Sequence, residues 1–155
     1  MGTKKSPGPF ILVILLLAGV VVVVVYSGAG ARMMGMGSMG RHHQGMMGGL
    51  PADYINERNP LPGTETVLQD GKRLYQVNCA VCHGDQGYGD GPTARNLVPP
   101  PANLYRVMRM PIARDDYLFW TISEGGKAFN STMPAFKESL SEEDRWKVIH
   151  YLRQL

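Results

Sequence analysis

The stretch Cys79-Ala80-Val81-Cys82-His83 (CAVCH) decides what this chain folds around, and it contains both cysteines of the protein. Two thiols three residues apart, followed at once by an imidazole, form the attachment pattern of c-type haem. Each thiol can add to one vinyl group of the porphyrin, and the imidazole of His83 is then held under the iron as an axial ligand. The motif therefore predicts one covalently bound haem c.

Two other uses of paired cysteines fit the sequence less well. A disulfide or thioredoxin-like site would suit exported cysteines, but the surroundings have no βαβ pattern and His83 would have no role. A zinc site would take three ligands from the motif and would lack an evident fourth ligand nearby. Haem attachment uses all three side chains and is the preferred interpretation.

The second axial ligand of the iron has to come from elsewhere in the chain. Met133 is the preferred candidate, because Pro134 cannot donate to a helical ladder and so favours an extended loop that lays the thioether across a haem face. A thioether opposite an imidazole raises the redox potential, which suits a carrier that accepts electrons from quinol-level donors. The other candidates are Met108, Met110 and His150.

Helical periodicity precedes the motif. Thr64 can cap a helix that runs to about Asn78. Residues spaced at i, i+4, i+7 and i+8 along this helix share one face. The predicted buried face consists of Val67, Gly71, Leu74, Tyr75 and Asn78.

Two further helices are predicted after the motif. Asp115 or Asp116 opens one that ends near Gly125-Gly126. Ser141, followed by three acidic residues, begins another at the positive end of its helix dipole. The buried stripe of this last helix consists of Val148, Tyr151, Leu152 and Leu155. No segment alternates with period two, so the sequence predicts an all-α domain.

Residues 10–26 (FILVILLLAGVVVVVVY) form an uncharged apolar segment, and Lys4 and Lys5 precede it. Extended as a helix to residue 31, this segment reaches across a hydrocarbon core of about 30 Å. A membrane anchor over residues 10–31 is therefore predicted, in contact with the lipid bilayer. The alternative is a cleaved signal peptide that ends at Ala29-Gly30-Ala31.

The two lysines predict the orientation of this anchor. By the positive-inside rule, residues 1–9 lie in the cytoplasm and the chain after the anchor lies on the periplasmic, or outer, side of the cytoplasmic membrane. Residues 32–63 are predicted to be a flexible linker rich in methionine, glycine and proline. The domain that carries the motif then occupies residues 64–155.

The first part of the linker, residues 32–50, holds six of the ten methionines and the pair His42-His43. Thioethers and imidazoles are suitable ligands for Cu(I), which is one possible role. Methionines also adapt to the apolar surface of a partner subunit, which is another. Residues 51–63 are extended and interrupted by prolines.

The charge of the chain excludes few partners. Without residues 1–31, 14 Lys+Arg stand against 13 Asp+Glu. Two ionised haem propionates would bring the outer domain to about −1, so nothing argues for nucleic acid or for strong electrostatic steering. This small net charge favours permanent association with other subunits over steered collisions.

Five segments between residues 64 and 155 together resemble a class I cytochrome c. The resemblance implies a small all-α fold around one haem, in which the first and last helices cross at Gly71 and Tyr75 meets the region of Tyr151. The segments, in chain order, are NCAVCHGDQGYGDGP (78–92), PPPANL (99–104), LFWTISEGG (118–126), TMPAF (132–136) and SEEDRWKVIHYLR (141–153).

The resemblance also implies contacts around the haem. A carbonyl of Pro99, Pro100 or Pro101 would accept the Nδ1 proton of His83 and fix its orientation. Trp120 would pack by the haem edge or serve as an ordinary core aromatic. The iron ligands would be His83 and Met133.

More narrowly, NPLPGT (59–64) and the segment from residue 70 to residue 92 are similar to the mono-haem cytochrome subunit of alternative complex III. That subunit often carries a lipid on an N-terminal cysteine, which a helix would replace here. The resemblance implies one-electron transfer within a respiratory or photosynthetic quinol-oxidising complex, toward a periplasmic carrier or a terminal oxidase. The alternatives are a cytochrome c subunit of a haem-copper oxidase, a free-standing anchored carrier, or a haem enzyme or gas sensor with an open axial site.

Overall fold

The computed structural model of the chain describes residues 12–17, 20–25 and 49–155. The chain divides into two compact units, residues 1–34 and residues 35–155. The second unit is helical where it is described, as the sequence predicts. Its helices are α1 (Glu65–Asn78), α2 (Ala80–His83), α3 (Leu104–Val107), α4 (Asp115–Glu124) and α5 (Glu142–Leu152), with 3₁₀ turns at Ala52–Tyr54, Ala94–Asn96 and Lys127–Phe129.

The first unit contains two strands where a membrane-spanning helix is predicted. Strands β1 (Leu12–Leu17) and β2 (Val20–Val25) pair antiparallel, with Leu12 opposite Val25 and Leu17 opposite Val20. Runs of β-branched valine fit a pleated strand at least as well as a helix, which explains the difference from the predicted conformation. Within residues 12–17, 20–25 and 49–155, no helix is long and apolar enough to cross a membrane. The methionine-rich stretch up to residue 48 lies outside the described residues.

Helix α1 begins where the sequence places it. The side chain of Thr64 accepts a hydrogen bond from the backbone N–H of Val67 at 3.3 Å. This cap satisfies one of the free donors of the first turn. The predicted face is confirmed: Gly71 and Tyr75 are buried, and the other three members, Val67, Leu74 and Asn78, are half-buried.

Helices α1 and α5 cross at Gly71. A Cβ atom placed on Gly71 would lie 2.1 Å from the carbonyl oxygen of Lys147, so only glycine allows the two backbones to come this close. The rings of Tyr75 and Tyr151 are 5.2 Å apart at this crossing. The helix crossing implied by the resemblance is therefore confirmed.

Helix α5 also begins at its predicted cap, since Ser141 Oγ accepts from the N–H of Asp144 at 3.1 Å. The indole ring of Trp146 stacks on Phe119 of α4, with ring centroids 4.0 Å apart and planes 6° from parallel. The guanidinium carbon of Arg145 lies over the Phe119 ring, 4.5 Å from its centroid, and Arg145 donates a hydrogen bond to Ser123 Oγ. These contacts join α4 to α5.

Residues 50–63, called the strap here, pack on the helical domain. Tyr54 donates its hydroxyl hydrogen to Glu124 at 2.5 Å, and the side-chain amide of Asn59 donates to the carbonyl of Trp146 at 3.0 Å. The sequence predicts a flexible linker through residue 63, because no local period marks these residues. The structure differs, since contacts with residues distant in sequence hold this part of the predicted linker in place.

Candidate haem site

The CAVCH motif begins at the end of α1. Cys79 is the C-cap of this helix, and its N–H donates to the carbonyl of Tyr75 at 2.8 Å. The chain turns there into α2, in which the N–H groups of Cys82 and His83 both donate to the Cys79 carbonyl, at 3.1 and 2.9 Å. One helical turn therefore carries both thiols and the imidazole.

A glycine-rich loop, residues 84–91, folds back over the end of α2. Its Gly89 N–H donates to the carbonyl of His83 at 2.8 Å, and its Gly91 N–H donates to the carbonyl of Cys82 at 3.2 Å. A Cβ on Gly91 would lie 2.5 Å from the Ala80 carbonyl oxygen, so the loop lies directly against the helix backbone. The loop satisfies carbonyl groups that a four-residue helix leaves open.

The two cysteines are free and have different surroundings. Cys79 packs against the hydrophobic core, and this burial, with a smaller effect of Cys82, raises the pKa of its thiol to about 12. Cys82 is half-buried, and its sulfur lies 3.3 Å from Thr93 Oγ1. Thr93 Oγ1 donates its own hydrogen to the carbonyl of Val81 at 2.8 Å.

The imidazole of His83 is oriented by the backbone. Its Nδ1 lies 2.9 Å from the carbonyl oxygen of Ala102. A carbonyl accepts only from a protonated Nδ1, so this contact leaves Nε2 with the lone pair that binds a metal. The predicted acceptor was a carbonyl among Pro99, Pro100 and Pro101, and the structure corrects it by one residue.

Met133 lies on a loop that packs against the end of α4. Helix α4 ends at Gly125, which has a φ of +65°, and a Cβ there would lie 2.5 Å from the carbonyl carbon of Pro134. The N–H of Gly126 donates to the carbonyl of Met133 at 2.8 Å. We call residues 131–136 the Met–Pro loop. Contacts with Gly125 and Gly126 thus hold this loop in place. The half-buried Met133 packs against the same core as Cys79.

The other ligand candidates have different environments. His150 Nε2 lies 2.9 Å from the carbonyl of Leu61 in the strap, which gives this histidine a structural role. Met110 is exposed, and Met108 is half-buried against the core. Met108 is therefore the stronger of the two methionine alternatives to Met133.

The remaining predicted pocket residues are placed as follows. Trp120 is buried, with its ring edge-on to Tyr117 and Phe129 at 6.0 and 5.7 Å, so its described contacts are those of a core aromatic. Pro99 and Pro101 are half-buried and Pro100 is exposed. The carbonyl oxygen of Pro101 approaches Gly89 so closely that a Cβ there would lie 2.7 Å away.

Sequence reasoning missed two groups at this site, the Ala102 carbonyl and the Thr93 hydroxyl. The signal for Thr93 is its position two residues after the glycine-rich loop, which returns the chain to α2. Tyr75 was assigned only to the helix crossing, yet its hydroxyl also donates to the carbonyl of Gly84 at 2.6 Å and so anchors the residue after His83.

A cavity of about 520 Å³ lies beside α2 and is separate from the ligand candidates. Neither cysteine, nor His83, nor Met133 lines it. Its walls are Gln76, Ala80, Val81, Gly84, Asp85, Gln86, Asp90, Gly91 and Pro92.

The donor set fits a covalently attached haem. Two free thiols on one helical turn suit two thioether bonds, and an imidazole with Nδ1 hydrogen-bonded suits ligation through Nε2. A half-buried thioether against the same core suits the opposite axial position. Within residues 49–155, no group of three or more His, Cys, Asp or Glu side chains could hold a metal ion by itself.

Comparisons with known proteins identify the family of the helical domain. Residues 66–152 match the family model "Cytochrome C oxidase, cbb3-type, subunit III". Comparison with curated proteins gives no significant match.

Two solved structures are similar. A chain of the reducing HAO-like protein complex of Kuenenia stuttgartiensis is 26% identical with a TM-score of 0.50, and the match covers 61% of this chain and 46% of that chain. Cytochrome CL of the marine methylotroph Methylophaga aminisulfidivorans is 18% identical with a TM-score of 0.42, covering 74% and 66%. This chain thus spans less than two thirds of the length of either structure. From the CAVCH motif, the fold and the family match, the chain belongs to the cytochrome c family of that model, as a class I mono-haem cytochrome c that binds one haem c covalently.

Proposed function

We propose that this protein is a one-electron relay within a membrane-bound electron-transfer complex, on the periplasmic side of the cytoplasmic membrane. The observation that carries the proposal is the placement of two residues that would hold the iron: His83, whose Nδ1 lies against the Ala102 carbonyl, and Met133, on the Met–Pro loop. A haem with both axial positions filled by protein has no open site for a substrate. When bound, it supplies an iron that changes oxidation state by one electron.

The chain's own residues contribute attachment, ligation and burial. Cys79 and Cys82 would hold the porphyrin, and the glycine-rich loop keeps their helical turn in place. The two glycines at the end of α4 set the position of the Met–Pro loop. A thioether ligand favours the ferrous state and raises the potential, which suits a donor at quinol level.

Two kinds of complex are candidates. The description of the matching family favours a cytochrome c subunit of a haem-copper oxidase. The similarity of residues 59–92 to the mono-haem subunit of alternative complex III favours a quinol-oxidising complex. Purification in mild detergent distinguishes them: copurified copper and oxygen reduction support the oxidase, whereas quinol oxidation without copper supports the other complex.

Membrane attachment rests on residues 10–26, which carry no charge and follow two lysines. We expect the haem-stained protein to remain in the membrane pellet after an alkaline carbonate wash. We also expect protease added to the periplasmic side to release the haem domain. Release of the full chain by carbonate alone would contradict anchoring by this segment.

Absorption spectra of the haem-loaded full chain test the relay. The oxidised protein should show the weak long-wavelength band of methionine-ligated ferric haem, and the reduced protein should not bind carbon monoxide. Met133→Ala should abolish the band, lower the potential and admit external ligands while the haem remains attached. The matched variant Met108→Ala should leave the band intact. Carbon monoxide binding by the unmodified protein would support an enzyme or gas sensor instead.

A further inference from the structure

Positive charge is concentrated in one part of the domain although the net charge is small. Residues 94–114 contain four arginines and no aspartate, glutamate or lysine. Arg114 pairs with Asp116 at 3.1 Å, but none of the ion pairs described within residues 49–155 includes Arg95, Arg106 or Arg109. All three of these side chains belong to exposed residues. The described ion pairs therefore leave these three guanidinium groups without a neutralising Asp or Glu side chain.

One of these arginines, Arg109, stacks on an exposed tyrosine, and a second, Arg106, is that tyrosine's neighbour in the chain. The rings of Tyr88 and Tyr105 meet edge-on at 5.4 Å, and these residues are 48% and 37% exposed. The guanidinium of Arg109 stacks 3.6 Å over the ring of Tyr105 and donates to the carbonyls of Tyr105 and Leu155. Arg106 follows Tyr105 on α3. These four residues, Tyr88, Tyr105, Arg106 and Arg109, form what we call the tyrosine–arginine patch.

The composition of the patch is that of an interface centre. Tyrosine and arginine are the side chains over-represented at energetically important contact positions between proteins. The hydrogen bonds and the stacking of Arg109 also order this side chain before any partner arrives, which lowers the entropy cost of binding. Exposed lysines would lack this preorganisation.

Hydrogen bonds connect the patch to the axial histidine. Tyr88 precedes Gly89, whose N–H donates to the His83 carbonyl at 2.8 Å. Tyr105 lies three residues after Ala102, whose carbonyl oxygen is 2.9 Å from His83 Nδ1. Both tyrosines thus lie on segments that are hydrogen-bonded to the same ligand residue.

The nearest carboxylates in the sequence are turned elsewhere. Asp85 and Asp90 flank Tyr88 in the glycine-rich loop, but both line the cavity beside α2, which Tyr88 does not line. The Asp90 carboxylate is turned toward Gly84, since a Cβ placed on Gly84 would lie 2.1 Å from Asp90 Oδ1. Neither of these carboxylates pairs with an arginine of the patch in the described ion pairs.

We propose that the tyrosine–arginine patch is the docking surface for an acidic redox protein, which exchanges electrons with the haem from the His83 side. The proposal rests on the relay function and adds to it the place of contact and the charge of the partner. Complementary charge raises the rate of encounter, and this effect falls as salt rises. The location beside the anchored histidine favours a redox protein over other anionic partners.

Small redox reagents of opposite charge test where the haem exchanges electrons with a partner. Stopped-flow oxidation of the ferrous full chain would be measured with ferricyanide, an anion, and with tris(phenanthroline)cobalt(III), a cation. The double variant Arg106→Gln/Arg109→Gln should slow ferricyanide about tenfold at low ionic strength and speed the cobalt reagent, and the difference should vanish at high salt. The midpoint potential, measured in parallel, should be unchanged.

A matched control carries the same loss of charge at exposed positions of α1, Lys72→Gln/Arg73→Gln. This control should change either rate by less than about twofold, because it alters only the overall field. Equal effects of the two double variants would overturn the docking proposal. Arginine-dependent binding to anionic phosphatidylglycerol vesicles, with unchanged ferricyanide rates, would assign the patch to lipid and overturn it too.

The relay and the docking surface can fail separately. A ferrous protein that binds carbon monoxide and transfers electrons to neither reagent would refute the relay itself. A protein that reacts with both reagents, and whose patch variants behave like the control, would keep the relay and lose the docking surface.

Discussion

The crossing of α1 and α5 predicts that Gly71→Ala destabilises the domain. The new Cβ would lie 2.1 Å from the Lys147 carbonyl oxygen, whereas ordinary contacts begin at 3.4 Å. The helices must therefore separate by about an ångström, and overpacking of this kind costs about 1–3 kcal/mol or more. Alanine is about 1 kcal/mol more favourable than glycine in a helix, so without the clash Gly71→Ala would stabilise the domain. The sign of the measured change in stability therefore tests the crossing.

We expect a net loss of about 1–2 kcal/mol in the free energy of unfolding, the upper part of the overpacking cost less the gain from alanine, because the clash is with backbone that cannot rotate away. For a domain of this size each 1 kcal/mol lowers Tm by roughly 4–8 °C. The assay is thermal unfolding of the haem-loaded full chain, followed by far-ultraviolet circular dichroism. Lys72→Ala, on the exposed side of the same helix, is the control and should change stability by less than about 0.5 kcal/mol. Equal or greater stability of Gly71→Ala would refute the close crossing.

Three further perturbations follow from described contacts. Gly125→Ala forces a side chain into a positive φ and against Pro134, so it should displace the Met–Pro loop and weaken the methionine-ligation band without detaching the haem. Burial alone would raise the pKa of Asp115, but its hydrogen bonds from Arg153 and a backbone N–H lower it. Its contribution to stability is thus present at neutral pH and lost as pH falls, and urea unfolding of Arg153→Gln should show a loss of about 1 kcal/mol or less at pH 7 that disappears in acid. Burial, then its hydrogen bond, raises the pKa of Tyr54 to about 12. Tyr54→Phe should lose about 1 kcal/mol below pH 10. Between about pH 10 and pH 12 it should lose less tyrosine-linked stability than the unmodified protein, because only Tyr75 and Tyr151 keep raised pKa values. A Tyr54→Phe protein with an unchanged alkaline unfolding profile would contradict that contact.

The helix ends could be predicted because their causes are local. Thr64 and Ser141 cap α1 and α5 through donors three residues away, and such contacts depend only on neighbouring sequence. The CAVCH motif is local as well. Gly71 at the crossing came from the family resemblance and not from the spacing of residues.

The acceptor for His83 could not be predicted to the residue. Four successive residues, Pro99 to Ala102, offer a carbonyl, and the choice depends on how this segment lies against Gly89 of the glycine-rich loop. That contact joins two loops, and neither carries a periodic pattern that would fix the register. Sequence could identify the segment but not the atom.

The predictions for the strap and for the segment that contains β1 and β2 were wrong for different reasons. Tyr54 donates a hydrogen bond to Glu124, which lies 70 positions away in the chain, and no local sequence pattern predicts such a distant partner. An apolar run rich in valine matches both a buried strand and a helix, so periodicity alone does not separate them. The tyrosine–arginine patch was missed because a net charge near zero does not show where the individual charges lie.

The pairing of α1 with α5 has a consequence for how the chain matures. Ribosomes deliver α1 and the CAVCH turn before α5, so the surface that buries Gly71 and Tyr75 arrives only after a long intervening segment. Contacts between parts so remote in sequence form slowly, since a long loop must close before they contribute. During that interval the thiols of Cys79 and Cys82 belong to a segment that has not yet packed against α5. Cellular machinery therefore has access to both thiols before native packing restricts that access.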